Sequence, residues 1–111
     1  MADPNYSNPE TWRNSQIIKE VKFKASLSGG KGGQNVNKVS TKVELYWTPA
    51  SSGILSESQK AKVNTKLSNK LSNEGELRLV SEEERSQLRN KEKVSGKFYA
   101  LLAGCFKEKK K

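Results

Sequence analysis

The amino-acid sequence predicts an α+β fold. It is expected to be a small sheet of about three or four strands, ordered strand-loop-strand-helix-strand-helix, with the helices on one face and a glycine-rich loop between the first two main strands. Two observations carry this reading. Apolar and polar residues alternate on both sides of the glycine-rich segment, the period of half-buried strands; further along, apolar residues recur every three or four positions, the period of helices.

Residues 1–19 are expected to form an irregular N-terminal arm, because the start of the chain is polar, holds Pro4 and Pro9 and keeps no period. Trp12 is the residue predicted to pin it to the body. Val21, Phe23, Ala25 and Leu27 then alternate with Lys22, Lys24 and Ser26, which defines the first strand. Beyond the loop, Val43, Leu45 and Trp47 alternate with Lys42, Glu44 and Tyr46 in a second strand, predicted antiparallel to the first and ended by Pro49 and Ser51-Ser52-Gly53. Ser56-Glu57-Ser58-Gln59 fits a capping box, in which the Ser56 hydroxyl and Gln59 side chain satisfy early helix amides. Val63, Leu67 and Leu71 follow at four-residue spacing, with Asn73-Glu74-Gly75 as a stop. Glu76 to Val80 reads as a third strand with Leu77 and Leu79 inward. Ser81 to Glu84 could cap another helix, but the apolar stripe lapses between Leu88 and Val94, so residues 81–89 also fit a turn or loop. Val94, Phe98, Leu101, Leu102 and Cys105 stripe the final helix, and its basic end suits a helix C-terminus.

At 111 residues the chain fits one domain with one modest core, taken here as residues 20–106. Its 21 Lys+Arg against 12 Asp+Glu leave +9, which points to a polyanionic partner, nucleic acid ahead of an acidic membrane. No apolar run reaches the roughly 18 residues of a membrane span and no signal peptide is visible, so the expected compartment is the cytoplasm. Cys105 is the single cysteine and is predicted to be a buried core thiol. Histidine is absent, which excludes Ser-His-Asp and Cys-His machinery and histidine-ligated zinc; no metal and no cofactor are expected.

The segment Ser28 to Lys38 holds Gly29, Gly30, Gly32 and Gly33, four of the chain's eight glycines. Without Cβ atoms there, backbone N–H groups can approach a ligand at angles other residues forbid. Hairpin connections of about two to five residues need one or two glycines; this loop is longer, and long glycine-rich loops more often carry function. A Walker A loop fails, because Gly32 follows Lys31 where Ser or Thr is needed and Ala25 stands in place of the first glycine. The dinucleotide fingerprint fails at Asn35, and a strand follows where both motifs require a helix.

The remaining run, Ser28-Gly29-Gly30-Lys31-Gly32-Gly33-Gln34-Asn35-Val36-Asn37-Lys38-Val39-Ser40-Thr41, closely resembles the Gly-Gly-Gln (GGQ) catalytic domain of class I peptide-chain release factors. Within that family it is most similar to the short, stop-codon-independent rescue factors of the alternative ribosome-rescue factor B type. Arg85-Ser86-Gln87-Leu88-Arg89-Asn90 resembles the family's Arg-Ser-Gln-x-x-Asn segment, read here as lying ahead of the last helix, and the resemblance spans about residues 20–106. Arg85, Ser86, Gln87 and Asn90 also fit a second role, capping and bracing that helix.

The resemblance implies hydrolysis of the ester joining nascent peptide to tRNA in the ribosomal peptidyl-transferase centre, with Gly32, Gly33 and Gln34 as the catalytic residues. The Gln34 backbone N–H would stabilise the leaving oxygen while its side chain shapes the space for water. Lys31, Asn37, Lys38, Arg85, Lys107, Lys109, Lys110 and Lys111 are the expected RNA contacts; Lys42 reads as a solvated surface lysine. Asn35 departs from a histidine common in the family. The implied partners are ribosomal RNA and peptidyl-tRNA, with the protein a monomer. The resemblance implies a long basic C-terminal tail, which five extended residues reaching at most about 17 Å cannot supply. Residues 107–111 read as the start of that tail, cut short in a lysine run, the alternative being that stalling is sensed differently. Two other functions fit the same residues: a non-catalytic basic RNA-binding module, and a release factor acting on split or otherwise aberrant ribosomal complexes.

Overall fold

A computed structural model describes residues 5–28 and 40–107. The central element is a three-stranded antiparallel sheet in the order β1 (Lys22–Ser28), β2 (Ser40–Trp47), β3 (Leu77–Ser81). β1 pairs with β2 from Lys22↔Tyr46 to Ser28↔Ser40, and β2 pairs with β3 from Val43↔Ser81 to Trp47↔Leu77. Directly opposed residues share a face, so this register sends Val43, Leu45, Trp47 and Leu77 to one side, where all four are buried.

Among the described residues three α-helices complete the fold: α1 (Pro9–Asn14), α2 (Glu57–Lys66) and α3 (Gln87–Cys105). α3 covers the apolar face of β2 and β3. Val94, Phe98, Leu102 and Cys105 are buried along its predicted stripe, and the Phe98 ring meets Trp47 edge-on at 5.0 Å and 72°. Such pairs contribute about 0.5–1.5 kcal/mol beyond their buried area.

Three local expectations are corrected. The N-terminal arm is not irregular throughout, because the Asn8 side chain accepts from the Glu10 N–H at 2.9 Å and Pro9 supplies a preset φ, starting the short helix α1. Trp12 does pin this arm. It is 1% exposed, stacks on Phe106 at 5.4 Å and donates its indole N–H to the Tyr6 carbonyl at 2.8 Å.

α2 begins at the predicted capping box, with Gln59 N–H on Ser56 Oγ at 3.2 Å and Ser56 N–H on Gln59 Oε1 at 2.8 Å. It ends at Lys66, however, and Leu71 instead forms a bridge with Leu77 across a tight turn. Gly75 closes that turn with φ at 79°, a conformation only glycine adopts cheaply. α3 starts earlier than its apolar stripe. Ser86 caps it by accepting the Arg89 N–H at 3.3 Å, and the fully buried residue of its first turn is polar Asn90.

Candidate functional site

The loop that joins β1 to β2 springs from the Ser28↔Ser40 pair, so both of its roots belong to one continuous antiparallel ladder. Lys31, Gly32, Gly33, Gln34, Asn37 and Lys38 lie on it, outside the described residues, as do Lys109, Lys110 and Lys111 beyond α3. Of the other expected RNA contacts, Arg85 is exposed just before the α3 cap and Lys107 is exposed just after α3. α3 is 19 residues long, about 28 Å at the helical rise. It runs from the loop-root end of the sheet, where Asn90 meets Thr41, to its C-terminal end before Lys107.

The loop's outgoing root is tied down by a polar cluster. Asn90 is 0% exposed, and its Nδ2 donates to the Thr41 carbonyl at 3.0 Å, to Thr41 Oγ1 at 2.6 Å and to the Glu84 carbonyl at 2.9 Å. Its Oδ1 accepts from Ser81 Oγ at 3.1 Å and from the Glu84 N–H at 3.0 Å. Two carbonyls on one side and a backbone N–H on the other fix which way the amide points. Thr41 Oγ1 also reaches the Glu84 carbonyl at 3.3 Å. One side chain of α3 thus joins the first residues of β2, the end of β3 and the segment leading into α3.

Ion pairs hold that segment from outside. Lys93 Nζ lies 3.1 Å from Glu83 and 3.3 Å from Glu84, Lys97 lies 3.6 Å from Glu83, and Arg89 lies 3.8 Å from Glu84. Hydrogen bonding to Lys93 draws the Glu83 carboxyl below its usual range, and the same contact raises Lys93. Lys97 Nζ also donates to the Val80 carbonyl at 3.1 Å.

The Arg-Ser-Gln-x-x-Asn segment therefore caps and braces through Ser86 and Asn90 and leaves Arg85 and Gln87 outward. Thr41 and Ser81 were missed as members of the cluster. Their signal was present: each is a polar residue at an inward position of a strand whose other inward positions are apolar. Among the described residues no group of His, Cys, Asp and Glu could hold a metal, and no helix is long and apolar enough to cross a membrane.

Fold and anchor together define a rigid α+β base that presents a long glycine-rich loop from one end of its sheet. The profile of the RF-1 domain matches residues 14–111, and the chain belongs to that family, the GGQ domain of class I release factors. It is also 40% identical over 76 residues to a mouse protein named large ribosomal subunit protein mL62, a stretch covering 68% of this chain and 37% of that relative. The chain thus spans well under half the length of this curated relative.

Proposed function

We propose that the chain hydrolyses peptidyl-tRNA on the ribosome without reading a codon, releasing nascent peptide from stalled complexes. What carries the reading is the sequence Gly32-Gly33-Gln34 in an RF-1 domain whose loop root is locked, through Thr41, to the buried amide of Asn90. In this reading water attacks the ester carbonyl carbon, the bond to the ribose oxygen breaks, and that oxygen takes up a proton as water loses one.

Gln34 supplies hydrogen bonds and not a base, since an amide does not titrate near neutrality. Its backbone N–H donates to the departing oxygen, Gly32 and Gly33 permit the turn that aims it, and the proton transfers fall to RNA and water. Lys31, Asn37, Lys38 and Arg85 meet RNA around the centre, while Lys107 and Lys109 to Lys111 hold RNA further off.

The test is release of labelled peptide from ribosomes stalled at the end of an mRNA lacking a stop codon. Removing one oxyanion donor typically costs about 100- to 1000-fold, so Gln34→Pro, which deletes the N–H, and Gly33→Ala, which misaims it, should each lower the release rate by that order. Binding without release, or release unchanged in both variants, would sink the catalytic reading in favour of a plain RNA-binding module. The relative's name as a large-subunit protein favours a second reading, action on split or aberrant complexes. Parallel assays on intact ribosomes and on separated large subunits carrying peptidyl-tRNA distinguish the two.

A further inference from the structure

α3 covers one face of the sheet, and the register sets what the other face displays. Three rows lie on it: Lys22/Tyr46/Arg78, Lys24/Glu44/Val80 and Ser26/Lys42. The row nearest the loop roots contains Lys42, and the three rows span about 14 Å along the strands. Lys22, Lys24 and Arg78 are exposed, so nothing among the described residues covers this face.

Its charge is one-sided. Four cations face one acid, Glu44, which is only 6% exposed because Tyr46 and Arg78 close over it. The Tyr46 hydroxyl donates to Glu44 Oε1 at 3.1 Å, and Arg78 Nε donates to Glu44 Oε2 at 3.1 Å and to the Tyr46 oxygen at 3.3 Å; Arg78 Nη2 pairs with the same carboxylate. Glu44 is thereby neutralised and serves to hold a phenol and a guanidinium in place. Among the described residues no acid lies within ion-pair distance of Lys22, Lys24 or Lys42.

Beyond Tyr46 the face changes character. Glu20, Lys22, Tyr46 and Glu76 line a cavity of about 210 Å³, where the Glu20 carboxylate already accepts from the Trp47 indole N–H at 3.1 Å and the Gly53 N–H at 2.9 Å. A phosphate backbone is therefore favoured over the three rows and opposed beyond them, where Glu20 and Glu76 stand.

We propose that this uncovered sheet face is a docking surface for ribosomal RNA of the large subunit, separate from the GGQ loop. Lys22, Lys24 and Lys42 meet phosphates, and the Tyr46–Glu44–Arg78 cluster is a fixed platform on which an unpaired base stacks. Aromatic rings and guanidinium planes are the surfaces on which proteins stack splayed RNA bases. Lys42, read from sequence as a solvated lysine, becomes a contact because its row adjoins the loop root. The inference rests on the ribosome-directed reading above.

Binding of the chain to purified large ribosomal subunits without tRNA, followed by co-sedimentation across a salt series, tests it. Each phosphate contact contributes roughly 0.7 to 0.9 to the slope of log affinity against log salt. Lys22→Ala/Lys24→Ala/Lys42→Ala should lower that slope by about two while the melting temperature stays near wild type. Tyr46→Leu should weaken binding roughly tenfold without changing the slope, and Tyr46→Phe should stay near wild type. Photo-crosslinking through residue 46 should yield RNA adducts.

If the wild-type chain binds and the triple variant keeps its slope, or the crosslinks go to ribosomal protein alone, the docking surface is overturned while the release reading stands. If the wild type does not bind large subunits, the docking surface is overturned as well, and the release assay on stalled ribosomes decides the release reading by itself. Gln34→Pro separates them from the other side: it should bind with an unchanged slope while its release rate falls about 100- to 1000-fold.

Discussion

Replacing Asn90 tests whether one buried amide holds the loop's base together. In Asn90→Ala, the Thr41 carbonyl and the Glu84 N–H lose the Asn90 amide, and the Glu84 carbonyl keeps only the Thr41 hydroxyl of its two side-chain donors. An orphaned buried polar group costs about 1–3 kcal/mol, but Glu84 is partly exposed and water can recover some of its bonds, so a total of about 2–3 kcal/mol is expected. At about 4–8 °C per kcal/mol for a domain near this size, the melting temperature should fall by about 10–20 °C. Urea unfolding followed by tryptophan fluorescence is a direct assay, since Trp12 and Trp47 are both buried.

Asn90→Asp sharpens the test. It keeps the acceptor for Ser81 and Glu84 but sets a carboxylate against two carbonyl oxygens, which raises its folded pKa above the unfolded value near 4. A protonated carboxyl can donate where the amide did. This variant should therefore be least stable at pH 7 and regain stability as pH falls toward 4, relative to wild type. On the proposed function, release should drop even under conditions where the variant is fully folded, because Thr41 stands next to Ser40 at the loop root. A loss under about 0.5 kcal/mol for Asn90→Ala, or an Asp variant indifferent to pH, would refute the anchor.

Trp12→Ala should cost about 3–5 kcal/mol by emptying the site between Tyr6 and Phe106, and proteolysis should then cut the arm before α2. Ser56→Ala removes half of the α2 capping box and should cost about 1 kcal/mol in urea unfolding. Hydrogen bonding to Arg78 holds the Glu44 carboxyl below its usual range, so the pair's contribution is complete above the unfolded carboxylate pKa near 4.3 and fades as pH falls through the lower folded value. Glu44→Gln should accordingly lose less melting temperature than wild type between pH 5 and pH 3. Burial pushes the Cys105 thiol up, so a thiol reagent should label it at the rate of unfolding and not faster.

The strands and most of α3 were legible because their apolar residues keep strict periods, and β2 buries Val43, Leu45 and Trp47 as the alternation predicts. The start of α3 was obscured by chemistry. Its buried first-turn residue is an amide, so the apolar stripe lapses although the helix continues. Leu71 misled in the opposite way, keeping helical spacing by chance while bridging to Leu77 in a turn. The loop motif was legible as composition, but its anchor was not. That anchor joins residues 41, 81, 84 and 90, which come together only when β2, β3 and α3 pack.

The distribution of charge separates what holds the domain together from what it offers a partner. Glu10, Glu44, Glu57, Glu83 and Glu84 are each paired with a cation of the chain itself, and Glu20 accepts from Trp47 and Gly53. Six of the ten acids among the described residues are thus engaged within the chain, whereas Lys22, Lys24 and Lys42 on the open sheet face have no acid within ion-pair distance among those residues. Exposed ion pairs contribute only about 0–1 kcal/mol each, so stability rests on the core around Leu45, Phe98 and Leu102 and on the Asn90 cluster, none of which salt screens strongly. On the proposed reading, binding to a polyanion rests on the lysines left without an ion pair, which salt screens far more. Raising salt from about 50 to 200 mM should therefore leave the melting temperature within a few degrees while affinity for large subunits falls by a factor of 100 or more. A melting temperature that falls in step with affinity would mean that the charges support the fold, and the division would be wrong.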